Sequence, residues 1–364
     1  MLPVNWENAL VLQTSFLGDT VLTLPLICEI RRRFPVKKLS VVCLPLSGEL
    51  LQDHPAVDQI IIDDKRSLNR GWRGMRRMAA RLKSEEFTVA LTPHKSLRSA
   101  LMLSLARIPQ RVGFRESRGW FLFHGRADRD PARHDVERNL SVLQVFGLPP
   151  EQCERALDLP VSAAIQDAVK QKLRSFGVND SDPIVGVSAG SVWPTKRWSS
   201  AGFARLVRML RQQHGCQVLL FGGADDARVV EDVERQSGGA AVNLVRRIGL
   251  RELAAAIDCC HVFVTNDSGP MHVAVARRIP TVALFCATTP DLGFYPYTSD
   301  AIVVQRDLSC RPCASHGGRR CPLGTEACIR EIHPETVLRA VEKLLAGARR
   351  GMPPSSFHPE LMIV

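Results

Sequence analysis

Short, uninterrupted apolar runs alternate with longer stretches of helical spacing along this chain. Ala9-Leu10-Val11-Leu12 is the first run, and its lack of polar alternation predicts a strand buried on both faces. A turn over residues 13–19 follows, and residues 20–33 carry the spacing of a helix. Lys38–Cys43, Gln59–Ile62 and residues 88–91 predict three more strands, the last entering the loop Thr92-Pro93-His94-Lys95. Strands alternating with helical stretches predict βαβ units and a doubly wound parallel sheet, an α/β fold.

The pattern then starts again. A connector at residues 157–160 and a helix over about 163–176 lead to strands predicted at residues 183–187, 217–221, 262–264 and 281–285. Helices are predicted among them at residues 201–213 and 250–257. The expectation is two Rossmann-like doubly wound domains, residues 1–165 and 166–350, facing each other across a cleft as suits an enzyme with two substrates. Residues 351–364, which include Pro353-Pro354-Ser355-Ser356, read as a loose tail.

Composition narrows the class. At 45% apolar and 23% charged residues the chain is an ordinary globular protein and not a disordered one. No run approaches the roughly 18 apolar residues of a membrane-spanning helix. Residues 1–7 lack the basic and apolar regions of a signal peptide. Eleven cysteines, most of them scattered, do not form a secreted disulfide framework, so the expected location is the cytoplasm.

The net charge of +11 is concentrated: residues 65–145 hold 18 basic and 7 acidic side chains. Residues 65–83 alone carry eight basic residues and no acid, with Trp72, Met75 and Met78 between them. Such a run is either a solvated helix face or a surface that meets phosphates, of nucleic acid or of anionic lipid.

Candidate chemistry sits in the loops. Phe16-Leu17-Gly18-Asp19-Thr20 joins the first strand to its helix, at the sheet edge where open α/β folds bind ligands. Asp19 there is either a helix cap or a general base for an incoming hydroxyl. Gly18 is the single glycine of that turn, so the dinucleotide fingerprint is missing and an NAD-dependent oxidoreductase is disfavoured. In the second half three loops follow strands: residues 188–198 with Ser191 and Lys196, Phe221-Gly222-Gly223, and residues 264–272 with Asp267, Ser268, Gly269 and His272. Small residues, a lysine and a helix start at one sheet edge point to a nucleotide-diphosphate site. A histidine placed like His272 is, taken alone, more often a satisfied structural histidine than a ligand contact. The Asp128-Arg129-Asp130 and Asp180-Ser181-Asp182 spacings read as polar loops away from strand ends, not as metal-diphosphate motifs.

Together these stretches resemble the bacterial ADP-heptose:lipopolysaccharide heptosyltransferases. The matching pieces are Leu17-Gly18-Asp19 with Pro25, the run from Pro93 to Ala100, Arg111-Val112-Gly113-Phe114, and His134-Asp135-Val136-Glu137-Arg138-Asn139-Leu140. They continue with Gly190-Ser191, Lys196, Trp198, Phe221-Gly222-Gly223 and the run from Asn266 to His272, covering about residues 8–345. The resemblance implies a GT-B fold and an inverting transfer of heptose from ADP-heptose to a hydroxyl of inner-core lipopolysaccharide at the cytoplasmic face of the inner membrane, with no catalytic metal. It implies Asp19 as the base, and Ser191, Lys196, Gly222, Asp267, Ser268, Gly269 and His272 on the donor, Asp267 bonding ribose or sugar hydroxyls. His94, Lys95 and Arg98 are the acceptor-side candidates. Gln13 departs from the basic residue that often opens the first motif in the family.

Cys310, Cys313, Cys321 and Cys328 pack four thiols into the insertion at residues 308–330. The readings are a structural zinc or iron on four thiolates, reduced thiols, or a labile disulfide. A related group that modifies autotransporter proteins carries a four-cysteine iron site, so a protein acceptor is the alternative within the family. A metal-stabilised nucleic-acid-binding protein is the rival outside it, and it leaves the Lys196 and Asp267 loops unexplained.

Overall fold

The computed structural model describes residues 5–347 and 351–364; the first four residues of the segment read for a signal peptide, and the last three expected in the second domain, lie outside them. The chain forms two compact units, Met1–Pro160 and Val161–Val364. The division precedes the helix Ala163–Ser175, whose Lys172 pairs with Glu252 at 2.7 Å, which ties that helix to the second unit.

In the first unit, β1 (Asn8–Gln13), β2 (Lys38–Cys43), β3 (Gln59–Ile62), β4 (Val89–Leu91), β5 (Gln110–Phe114) and β6 (Gly125–Ala127) make one parallel sheet. Its order is β3-β2-β1-β4-β5-β6. The second unit holds β7 (Ile184–Ser188), β8 (Gln217–Phe221), β9 (Val242–Asn243), β10 (Val262–Asn266), β11 (Thr281–Phe285), β12 (Ala301–Gln305) and β13 (Glu360–Ile363). These are ordered β13-β12-β11-β10-β7-β8-β9, again parallel throughout. The central strands are buried along their whole length because helices cover both faces, which is why they read as unbroken apolar runs.

Several elements differ from the expectation. Residues 20–33 are not one helix but two, Leu17–Val21 and Leu24–Arg33. Pro25 explains the break: in the first turn of a helix its missing N–H costs nothing, whereas inside one its ring clashes with the preceding turn. Asp19 therefore lies within a helical turn. β6 and β9 span three and two residues, too short to show periodicity. The tail is not loose at its end, since β13 pairs with β12 from Ile302↔Glu360 to Gln305↔Ile363, beyond the prolines that would interrupt a strand.

Both sheets reverse direction at their centre, between β1 and β4 and between β7 and β10. Loops on either side of such a reversal diverge and leave a crevice at the carboxyl edge. In the second unit one buried amide joins those loops. Asn266, at the end of β10, accepts from the Trp198 N–H at 2.9 Å and donates to the carbonyls of Ala189 at 2.9 Å and Gly190 at 3.2 Å. The Trp198 indole packs on Phe203 and donates to the Ile332 carbonyl at 3.0 Å, anchoring the far side of the loop in the core. Replacing Asn266 by Leu strands buried backbone groups and is expected to cost about 2–4 kcal/mol in denaturant unfolding of the second unit; a loss under about 0.5 kcal/mol would contradict this role.

Candidate functional site

The loops after β7, β8 and β10 lie at one edge of the second sheet because all three strands run parallel and adjacent. The first two loops approach closely at Gly190. A Cβ there would sit 2.2 Å from the Asp226 carboxyl carbon, so only glycine fits. Asp226 in turn accepts from the Gly223 N–H at 3.0 Å. Gly222 is confined less severely, with Asp226 and Val230 both 3.0 Å from where its Cβ would be. Ser191 is buried, and its carbonyl accepts from the Arg197 Nε at 2.6 Å, which closes the turn leading to Lys196.

Lys196 ends the short turn Pro194–Lys196, and its ammonium lies 2.6 Å from Oδ2 of Asp267, the first residue after β10. The Thr288 hydroxyl donates to the same oxygen at 2.7 Å. Both charged side chains are largely buried, so neither can lose the other without a replacement. Asp267 is thus the counter-ion of Lys196 here. Beyond it Ser268 starts the helix Gly269–Ala276 with no side-chain cap, its hydroxyl lying 3.3 Å from that of Thr265. With Pro270 lacking an N–H and the Met271 N–H bonded to the Ser268 carbonyl at 3.1 Å, this start offers an anion the Gly269 N–H and the positive end of the dipole.

His272, in the first turn of that helix, is fully buried, and its Nδ1 has no hydrogen-bond partner among the described residues. Burial holds its pKa down at about 4, against the pull of Asp267 and helped by Lys196, so the ring is neutral at pH 7. An orphaned buried nitrogen beside a lysine, a carboxylate and a helix start needs a partner that the protein does not supply.

The first unit builds a second polar cluster at its own reversal, between the loops after β1 and β4. Oδ2 of Asp19 accepts from the Phe16 N–H at 3.0 Å, so the carboxylate does cap its helical turn. A carboxylate accepts through two oxygens, which makes capping and proton transfer compatible. His94 is bonded to the Ser99 hydroxyl at 2.9 Å and lies 3.4 Å from that of Thr14. Burial and the neighbouring Lys65 and Arg98 charges press its pKa to about 4. Arg98 is held by the buried Asp63 and by the Asn69 carbonyl at 3.1 Å, which commits it to bracing the loop. Lys95 is exposed, and burial of its stem lowers its pKa.

Lys65, which the sequence reading did not single out, donates to the Thr14 carbonyl and lies within the electrostatic reach of Asp19. Burial, with the Arg98 charge next, lowers its pKa. Its signal was submerged in the basic run around it.

One expectation needs correction. Asp128 directly follows β6, so it does stand at a strand end; it pairs with Arg115 at 2.8 Å, while Asp130 pairs with Arg133. The thiols of Cys310, Cys313, Cys321 and Cys328 lie near enough to perturb one another electrostatically. Yet among the described residues no three His, Cys, Asp or Glu side chains converge to hold a metal ion. Burial raises the Cys328 pKa to about 11, while the Glu326, Leu323 and Gly324 backbone lowers that of Cys321, so the four do not share one environment.

Comparison with known proteins places this geometry. The chain is 29% identical over 352 residues to lipopolysaccharide heptosyltransferase 2 of Salmonella typhimurium, covering 93% of this chain and 98% of that one. Among solved structures, a glycosyl transferase family 9 protein from Veillonella parvula superposes with a TM-score of 0.82 at 24% identity, over 95% and 99% of the two chains. The E. coli ADP-heptose lps heptosyltransferase II does so with a TM-score of 0.76 at 25% identity, over 93% and 99%. The iron-containing dodecameric glycosyltransferase TibC of E. coli shares the fold at 17% identity and a TM-score of 0.58, over 95% of this chain and 78% of that one. These neighbours carry the GT-B fold. Residues 75–324 match glycosyltransferase family 9 (heptosyltransferase), more than half of the chain, and the protein is a glycosyltransferase belonging to that family.

Proposed function

We propose that this enzyme transfers a heptose from ADP-heptose to a hydroxyl of the lipopolysaccharide inner core, inverting the anomeric centre. The observation that carries the reading is the Lys196–Asp267 pair set between the orphaned His272 nitrogen and an uncapped helix start. A diphosphate adds further anionic oxygens for the Lys196 ammonium, which has donors beyond the one Asp267 takes, and for the positive end of the helix.

In the reaction so read, Asp19 takes the proton of the acceptor hydroxyl as its oxygen attacks the anomeric carbon. The bond from that carbon to the β-phosphate oxygen breaks, and ADP leaves with the electron pair. Lys196, the Gly269 N–H and the positive end of that helix stabilise the charge that develops on it. A neutral His272 can bond the donor without adding a second buried cation. The Phe16 N–H holds the Asp19 carboxylate in one orientation, and Lys65 keeps cationic character beside it. Lys95 and Lys65 are the cations best placed for an anionic acceptor, with His94 and Arg98 shaping the loop that carries Lys95.

The first unit also supports an acceptor at an anionic membrane surface. Its helices Gly71–Ser84 and Leu97–Leu105 and the turn Trp120–Leu122 pack side by side over one core cluster. Outward they expose Trp72, Trp120 and Phe121, with Arg73, Arg76 and Arg77 also exposed on the first helix, Leu68 exposed in the turn before it, and Arg126 stacked 4.8 Å from the Trp120 ring. Aromatic rings interleaved with arginines suit a headgroup boundary. No helix among the described residues is long and apolar enough to cross a membrane.

Incubation with ADP-heptose and either heptose-deficient lipopolysaccharide or an autotransporter passenger tests the reading; product on the lipopolysaccharide alone is expected, and product on the passenger alone overturns the acceptor assignment. Asp19→Asn should lower kcat by about 10²–10⁴-fold while ADP affinity stays within about twofold; wild-type turnover would remove Asp19 as the base. Vesicles of phosphatidylcholine with phosphatidylglycerol should sediment the enzyme at low salt, and those of phosphatidylcholine alone should not. Trp72→Ala combined with Trp120→Ala should weaken that binding about tenfold, and equal binding to both vesicle types would refute this surface.

A further inference from the structure

The cysteine-rich insertion has no part in the chemistry above, yet it touches Lys196 directly and Asp267 through Thr288. On the lysine side the contact is a reciprocal backbone clasp. The Gly318 carbonyl accepts from the Thr195 N–H at 3.2 Å and from the Thr195 hydroxyl at 3.0 Å, and the Gly318 N–H donates back to that hydroxyl at 2.8 Å. Thr195 is buried and immediately precedes Lys196. Beside it, Gly317 lies flat on the lysine stem in the left-handed region at φ +79°. A Cβ there would come within 2.8 Å of Lys196 Cγ and 3.0 Å of its Cδ.

On the carboxylate side the same segment grips the end of β11. Nη2 of Arg311 donates to the carbonyls of Phe285 and Thr288 and to Gln305 Oε1, and the Cys313 N–H donates to the Ala287 carbonyl at 3.0 Å. Thr288 is the residue whose hydroxyl holds Asp267. Eight residues, 311–318, therefore fix the backbone on both sides of one buried ion pair.

We propose that residues 311–318 form a positioning strap for the donor site: Gly317 and Gly318 set the Lys196 ammonium, and Arg311 sets Thr288 and through it Asp267. The strap touches no reacting atom. It acts by fixing where the lysine can meet a diphosphate, and this inference rests on the reading of Lys196 as a donor ligand. The four cysteines lie before, within and after the strap, at positions 310, 313, 321 and 328, so the insertion has a use that does not require a metal.

Calorimetric titration with ADP tests this in four variants. Thr195→Val keeps the size and loses both hydroxyl bonds of the clasp, and should bind ADP about tenfold more weakly with an unchanged melting midpoint. Thr195→Ser keeps the hydroxyl and should return affinity to within about twofold, a rescue that general loosening of the fold would not produce. Gly317→Ala, which presses on the lysine stem, should weaken ADP about as much as Thr195→Val and decides the matter if the valine variant does not fold. Wild-type affinity in Gly317→Ala and in any folded Thr195→Val overturns the strap. Lys196→Ala separates the two ideas: weak binding there beside wild-type binding in the strap variants sinks the strap alone, and wild-type binding in Lys196→Ala sinks the donor-site reading beneath it.

Discussion

A lysine and an aspartate taken out of water must satisfy each other, and the Lys196–Asp267 pair imposes that demand on every loop around it. Desolvating two ions costs several kcal/mol apiece unless geometry and extra hydrogen bonds repay it. The surroundings are arranged accordingly. Thr288 adds a hydrogen bond to the carboxylate, Asn266 ties the β7 and β10 loops at their bases, and Gly190 lets the β8 loop close in behind. An anion arriving at the helix start beside this pair finds a cation already in place and already dry.

The two units solve the same topological problem with opposite chemistry. Each is a parallel sheet whose strand order reverses at the centre, and each gathers polar residues at that reversal. The second unit gathers a lysine, a neutral histidine and a helix start, which suits an anion. The first gathers an aspartate among cations and a neutral histidine, which suits proton transfer from a hydroxyl in an electropositive setting. The contrast between the two clusters lies in their side chains, not in any difference in fold.

Much of this was legible in the sequence. Gln217–Phe221 and Thr281–Phe285 are apolar runs buried along their length because parallel sheets bury both faces, and their limits, like those of Lys38–Cys43 and of the half-buried edge strand Gln59–Ile62, were readable to the residue. The loops with Lys196 and Asp267 announced themselves by small residues beside charge. What stayed hidden depends on separation. Thr195 meets Gly318 across 123 positions and Asn266 reaches Ala189 across 77, and no local pattern encodes either contact. The break at Pro25 was readable in principle, but helical spacing on both sides of it masked the boundary. The cysteine spacing left a metal, reduced thiols and a disulfide as readings, and burial of Cys328 beside the exposed turn around Cys321 is not visible in that spacing.

The central claim is that the second unit recognises a diphosphate and not merely an adenine nucleotide. Titrating the wild-type enzyme with ADP and with AMP tests it most directly, because the two ligands differ only in the phosphate that Lys196 and the helix start would hold. The account predicts that ADP binds at least about tenfold more tightly than AMP, the worth of one charge-assisted contact. Equal affinity for the two would contradict it.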